Sequence, residues 1–198
     1  MNDAVASSAK RAALFWAAAL VVGMFGIAVL LVSTDFIRPP WGMAIVLMPM
    51  LLMIPMIRAT ERMQQANGSG SPVVRRYNRR MLTASFAYAV GLLTAVTLFD
   101  DGGISRPAAA LLALLPTLPA WGMIWAMGRY VIEESDEYLR ARAVNAALIA
   151  TGFLLTLATF WGFMTTFGVV PNVPTWAAVP VWAIGLAVGQ IVNRVRGA

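Results

Sequence analysis

The sequence predicts an all-α protein, a polytopic transmembrane helix bundle of six spans with both termini in the cytoplasm. Three observations carry that expectation. Of 198 residues, 60% are apolar and 12% charged, with a mean hydropathy of +0.73; soluble domains are about half apolar and about a quarter charged. Six apolar stretches meet or approach the roughly 20 residues that cross a bilayer. Basic residues, finally, divide 13 to 2 between alternate connections. Every segment longer than about 25 residues contains an apolar run, so residues 1–198 read as one integral membrane domain.

The first span, 12–33, follows Lys10 and Arg11. Its apolar run exceeds the roughly 7–15 residues of a signal-peptide core, so it reads as an uncleaved anchor. The second, 41–57, carries Pro49 and Pro55 among Met43, Met48, Met50, Met53 and Met56. Span 81–99 has no proline, and 107–128 again has two, Pro116 and Pro119. A proline removes one helical hydrogen bond and crowds the preceding turn, so all four are candidate kinks. Span 143–168 holds Asn145, Thr151, Thr156 and Thr159, which can bond to neighbouring helices or to their own backbone. Span 175–192 contains "GLAVG", whose Gly185 and Gly189 permit a close helix crossing.

Orientation follows from the arginines. Lys10 and Arg11, six arginines in 58–80, three in 129–142 and two in the tail fall on one side; Arg38 and Arg106 fall on the other. The positive-inside rule puts the larger set in the cytoplasm. The opposite connections, "TDFIRPP", "DDGGIS" and "VVPNVP", are short and turn-like. The net charge of +6 therefore implies an anionic lipid surface at the cytoplasmic face and no nucleic acid.

One stretch cuts across the charge pattern. "YVIEESDEYLRARAV" places Glu133, Glu134, Asp136 and Glu137 within five positions on the basic side. Acidic residues contribute little to orientation, so the cluster needs another use. Three readings stand: a solvated helix start with Ser135 as cap and Asp136, Glu137 and Arg140 in local pairs; a contact with the cluster Arg75, Arg76, Arg79 and Arg80; or a cation or ligand site. In the other basic loop, Ser71 and Pro72 form a cap and first-turn pair after a flexible "GSGS" connector. That connector, around Gly68–Gly70, is the expected site of proteolysis.

The stretches from 75 and from 136 align at an offset of 61, with Tyr77/Tyr138, Arg79/Arg140, Ala89/Ala150, Gly91/Gly152, Leu93/Leu154 and Phe99/Phe160 identical. With the proline-bearing spans before them, they suggest a parallel duplication of a two-helix hairpin.

The segment "DEYLRARAVNAALIATGFLL" resembles a pattern in small uncharacterised bacterial multipass proteins: Asp-Glu, an aromatic or Met, any residue, Arg, then a span. The resemblance covers about a tenth of the chain. It implies a bacterial inner-membrane location and supplies no activity.

Cysteine and histidine are both absent, which removes thiolate chemistry, imidazole-ligated metals and histidine acid–base catalysis. No cofactor is expected. Nor does an ionisable residue sit well inside a span, where proton-coupled carriers usually hold one. The favoured expectation is a non-enzymatic accessory or scaffold component acting through helix packing and a charged cytoplasmic rim. Its partner would be a second copy or another membrane protein. The alternative is a small permease whose path is lined by the proline-bearing second and fourth helices; a lipid-handling enzyme comes third.

Overall fold

The computed structural model describes residues 2–33, 48–66, 71–100 and 104–196. Among them every regular element is helical: α1 (Asn2–Ser33), α2 (Met53–Ala66), α3 (Pro72–Asp100), α4 (Arg106–Glu133), α5 (Glu137–Thr166), a 3₁₀ turn (Thr175–Ala177) and α6 (Ala178–Val195). Among the described residues four helical stretches are long and apolar enough to cross a membrane: Pro72–Phe99, Arg106–Glu133, Glu137–Thr166 and Thr175–Val195. The chain divides into two compact units, Met1–Arg129 and Tyr130–Ala198. Residues 41–47 of the expected span 41–57, and the Gly68–Gly70 connector, lie outside the described residues.

In the first unit α1 packs along α2, and its Gly23 lies beside Pro49 and Leu52 just before that helix. A Cβ on Gly23 would meet the ring of Pro49 at 3.4 Å, ordinary contact, so these two small shapes set the crossing. The helical run pauses at Leu52, whose N–H bonds to Pro49 O at 3.0 Å, three residues back. Pro55 explains the pause. It has no N–H to give to Leu51 O, and its ring crowds that carbonyl. α4, by contrast, continues through both Pro116 and Pro119.

α3 starts where its cap residues dictate: Ser71 Oγ accepts from Val73 N–H at 3.1 Å and Pro72 occupies the first turn. It runs antiparallel to α4, with three contacts in step: Ser85 on Met123, Ala84 beside Gly122, and Gly91 against the Leu115 carbonyl. Asn78 Nδ2 donates to Glu61 Oε1 at 3.1 Å and ties α3 to α2.

The second unit is a helical hairpin. α5 ends in a Schellman motif: Gly168, at φ +71°, donates to Thr165 O, and Val169 N–H reaches Met164 O. Trp161 Nε1 then bonds Pro171 O at 3.1 Å and fastens the returning chain. α6 comes back along α5 on a seam of small residues. A Cβ on Gly185 would stand 2.7 Å from Ala150 Cα, and one on Gly189 2.8 Å from Ala146 Cα. The backbones touch, so the attraction is dispersion between main chains rather than between long side chains.

The offset-of-61 equivalents meet different surroundings. Gly91 abuts the Leu115 carbonyl, while Gly152 has open space around it. Tyr138 is exposed and Ala150 fully buried.

Candidate functional site

The acidic turn is built from the chain outward. α4 ends at Glu133 and α5 begins at Glu137, leaving three residues between them. Asp136, not Ser135, is the cap of α5: its Oδ1 accepts from Tyr138 N–H at 2.9 Å and Leu139 N–H at 3.2 Å. This corrects the expectation of a serine cap. The carboxylate serves two of the four unsatisfied N–H groups at once and brings a full negative charge to the positive end of the helix. Glu134 is 4% exposed, and its Oε1 accepts from Asp136 N–H at 3.3 Å, so it fixes the cap residue in turn. Glu137 pairs with Arg140 at 3.6 Å, one turn along, with 89% of its side chain in the open. Such an exposed pair contributes little. Replacing Asp136 by alanine should lower stability by about 0.5–2 kcal/mol, whereas Asp136→Ser or Ser135→Ala should cost far less. Thermal unfolding in mild detergent distinguishes these variants, and equal losses for Ser135→Ala and Asp136→Ala would contradict the cap assignment.

Further along the same unit is a polar lock that the sequence reading missed. Asn193 is fully buried; its side-chain N–H donates to Arg142 O at 2.9 Å and its Oδ1 accepts from Asn145. Asn193 continues the four-residue spacing of Gly185 and Gly189 on α6, and that spacing was the available signal. Asn145 and the glycines therefore belong to one seam. Arg142 also holds its guanidinium 5.5 Å above the Tyr138 ring. Asn193→Ala should remove the partner that Asn145 donates to and the second donor to the Arg142 carbonyl, which keeps its bond within α5. In a double-mutant cycle with Asn145→Ala, a coupling of about 0.6–1.7 kcal/mol is expected, the range for side-chain hydrogen bonds between membrane helices. Simple additivity of the two losses would remove the lock.

The arginine cluster lies on the first turns of α3, in the first unit. Arg75, Arg76 and Arg79 are exposed, and Arg80 is half-buried with its guanidinium 5.2 Å from the centre of the Trp125 ring. Arg76, Arg79 and Arg80 open onto a groove of about 440 Å³ between α3 and α4; Arg75 does not line it. The acidic turn, Tyr130 onward, belongs to the second unit. Of the candidate kinks, Pro116 lies beside Gly91, Pro49 beside Gly23, and Pro55 and Pro119 lie within α2 and α4.

Among the described residues no group of three or more His, Cys, Asp or Glu stands close enough to hold a metal ion. Among the described residues, fold and site define an all-helical chain with four helices long and apolar enough to cross a membrane, and charge gathered at their ends. Comparison with protein-family models, with curated proteins and with solved structures finds no match.

Proposed function

We propose that the chain is a six-span protein of the bacterial inner membrane, with both termini cytoplasmic. It acts without catalysis, as an accessory or scaffold component working through helix packing and a charged rim. The observation that carries this reading is where its polar groups are directed. Along the apolar helices the hydroxyls of Thr97, Thr117 and Thr166 bond to their own helix backbone, and Asn145 and Asn193 bond across the α5–α6 seam. Prolines sit at packed crossings, Pro49 on Gly23 and Pro116 near Gly91. These threonine hydroxyls are satisfied within their own helices, and the asparagines and prolines are used where helices pack. A permease path would need polar atoms converging on a passage between the helices.

The apolar surface is also broad. In each candidate span only 11% of the most apolar window is buried within the chain, so lipid or other helices must cover the rest. Mass measurement of the complex extracted in mild detergent tests the proposal. A stoichiometric second membrane chain is the expected result. An isolated chain that carries solute flux when reconstituted alone into liposomes would replace the accessory role with transport.

A further inference from the structure

The groove on the opening turns of α5 orders its chemistry by depth. It encloses about 550 Å³, and every residue lining it belongs to the second unit. Glu137, Ala141, Val144 and Leu148 recur at spacings of four and three, with Arg140 beside them, so they share one face of α5. That face is not the seam. Ala146 and Ala150 are buried against Gly189 and Gly185, whereas Val144 and Leu148 are 40% and 67% exposed. Asn145 borders both: one N–H of its amide goes to Asn193 in the seam, and the same side chain lines the groove. An amide nitrogen carries a second N–H. Counted inward from the helix start, Glu137 comes first and Arg140 about 4.5 Å later. Asn145 follows about 7.5 Å further in, and Leu148 about 4.5 Å beyond it, at 1.5 Å per residue. Glu137 and Arg140 are the charged residues of the lining, and their 3.6 Å ion pair is open to solvent. Such a pair contributes little, so either charge can take a ligand group at small cost.

We infer that this groove holds one phospholipid with a primary amine in its headgroup. The ammonium lies at Glu137, the phosphate at Arg140, the glycerol esters at Asn145, and the upper part of one acyl chain along Val144 and Leu148. Ammonium, phosphate, ester and chain follow one another inward in such a lipid, in the same order as carboxylate, guanidinium, amide and apolar side chains along α5. A guanidinium matches phosphate oxygens in geometry as well as in charge. A primary ammonium brings three N–H donors to the carboxylate, and a quaternary one brings none. A net-negative headgroup without an amine would set its charge against Glu137. The apolar end selects a ligand with a tail, since a soluble headgroup would leave Val144 and Leu148 uncovered. The inference rests on the membrane-spanning reading of α5. The topology measurement at the end of the Discussion tests that reading separately.

The test uses the full chain in detergent with native mass spectrometry, titrated with phosphatidylethanolamine, phosphatidylglycerol or phosphatidylcholine. Phosphatidylethanolamine should be retained in preference to both of the others. Arg140→Gln should weaken it about fivefold, which corresponds to roughly 1 kcal/mol, the upper end for an exposed ion pair. Glu137→Gln should abolish the preference over phosphatidylglycerol, a change of selectivity that a loss of folded protein would not produce. Ala141→Leu, which leaves both charges in place, should lose the lipid by filling the groove. Arg75→Gln, on α3, should change nothing. Equal retention of the three lipids overturns the inference, as does a preference for phosphatidylethanolamine that survives Glu137→Gln. If phosphoethanolamine, the headgroup alone, displaces the lipid while Ala141→Leu has no effect, the ligand is a soluble zwitterion and the lipid is ruled out.

Discussion

Replacing Gly185 or Gly189 by alanine should destabilise the α5–α6 hairpin, and replacing either by leucine should disrupt it. The new Cβ would stand 2.7 Å from Ala150 Cα at the first position and 2.8 Å from Ala146 Cα at the second. Real Cβ atoms do not approach that closely, so the helices must separate along the whole seam. Two effects oppose each other. Glycine to alanine within a helix gains about 0.8–1.0 kcal/mol in propensity, while overpacking a tight contact costs about 1–3 kcal/mol. Here the crowding wins, because the obstacle is backbone and no side chain can turn aside. At Gly152 and Gly162, where nothing lies within 4 Å, the propensity gain should stand alone and alanine should be neutral or stabilising. The nearest atom at each clash is a Cα, so Ala150→Gly should not rescue Gly185→Ala, nor Ala146→Gly rescue Gly189→Ala. Unfolding in a graded denaturing detergent reads all of these. Full rescue by the second glycine would mean that the seam is looser than described.

The second large effect is expected at Gly91. A Cβ there would lie 2.5 Å from Leu115 O and 2.7 Å from its carbonyl carbon, with Pro116 N at 3.1 Å. The sequence of α4 explains why that carbonyl is at issue. Residue 119 is proline, so the N–H that would normally bond Leu115 O is missing. α3 meets α4 where the second helix has a carbonyl without its usual partner, and only a residue lacking Cβ can approach it. Gly91→Ala should therefore be clearly destabilising, whereas Gly122→Ala, whose Cβ would meet only Ala84 Cβ at 3.6 Å, should be neutral or stabilising. Gly91→Leu should yield little folded protein. Comparable stability of Gly91→Ala and Gly122→Ala would contradict the close approach.

Much of this architecture was legible in the residues. Long apolar runs, the Ser71-Pro72 helix start and the glycine spacing of α6 each follow from local chemistry, and local chemistry is what a single sequence exposes. The seam itself needs two partners. Ala146 and Ala150 are unremarkable in an alanine-rich helix until glycines are set against them. Asn193 lies at the last turn of α6, beside Arg194 and Arg196, and reads as part of a polar tail; only the antiparallel return places it against Arg142 and Asn145. Gly91 carries no motif, since its role is decided by a proline on another helix. Ser135 and Asp136 are adjacent and both able to cap, so the choice depended on where α5 starts. Within the second unit the acidic cluster has local uses: Asp136 caps α5, Glu134 holds the cap, and Glu137 pairs with Arg140.

Everything proposed for the rim and the grooves depends on which end of each helix faces which side. The chain has no cysteine, so single cysteines can be introduced one at a time and labelled in spheroplasts with a membrane-impermeant maleimide. Six spans with both termini inside require labelling of Thr34→Cys, Ser105→Cys and Asn172→Cys, and protection of Ser8→Cys, Ser71→Cys and Ser135→Cys until the membrane is opened. Labelling of Ser8→Cys or Ser135→Cys from outside would contradict the orientation. Protection of Thr34→Cys while Ser105→Cys and Asn172→Cys are labelled would reduce the spans to four.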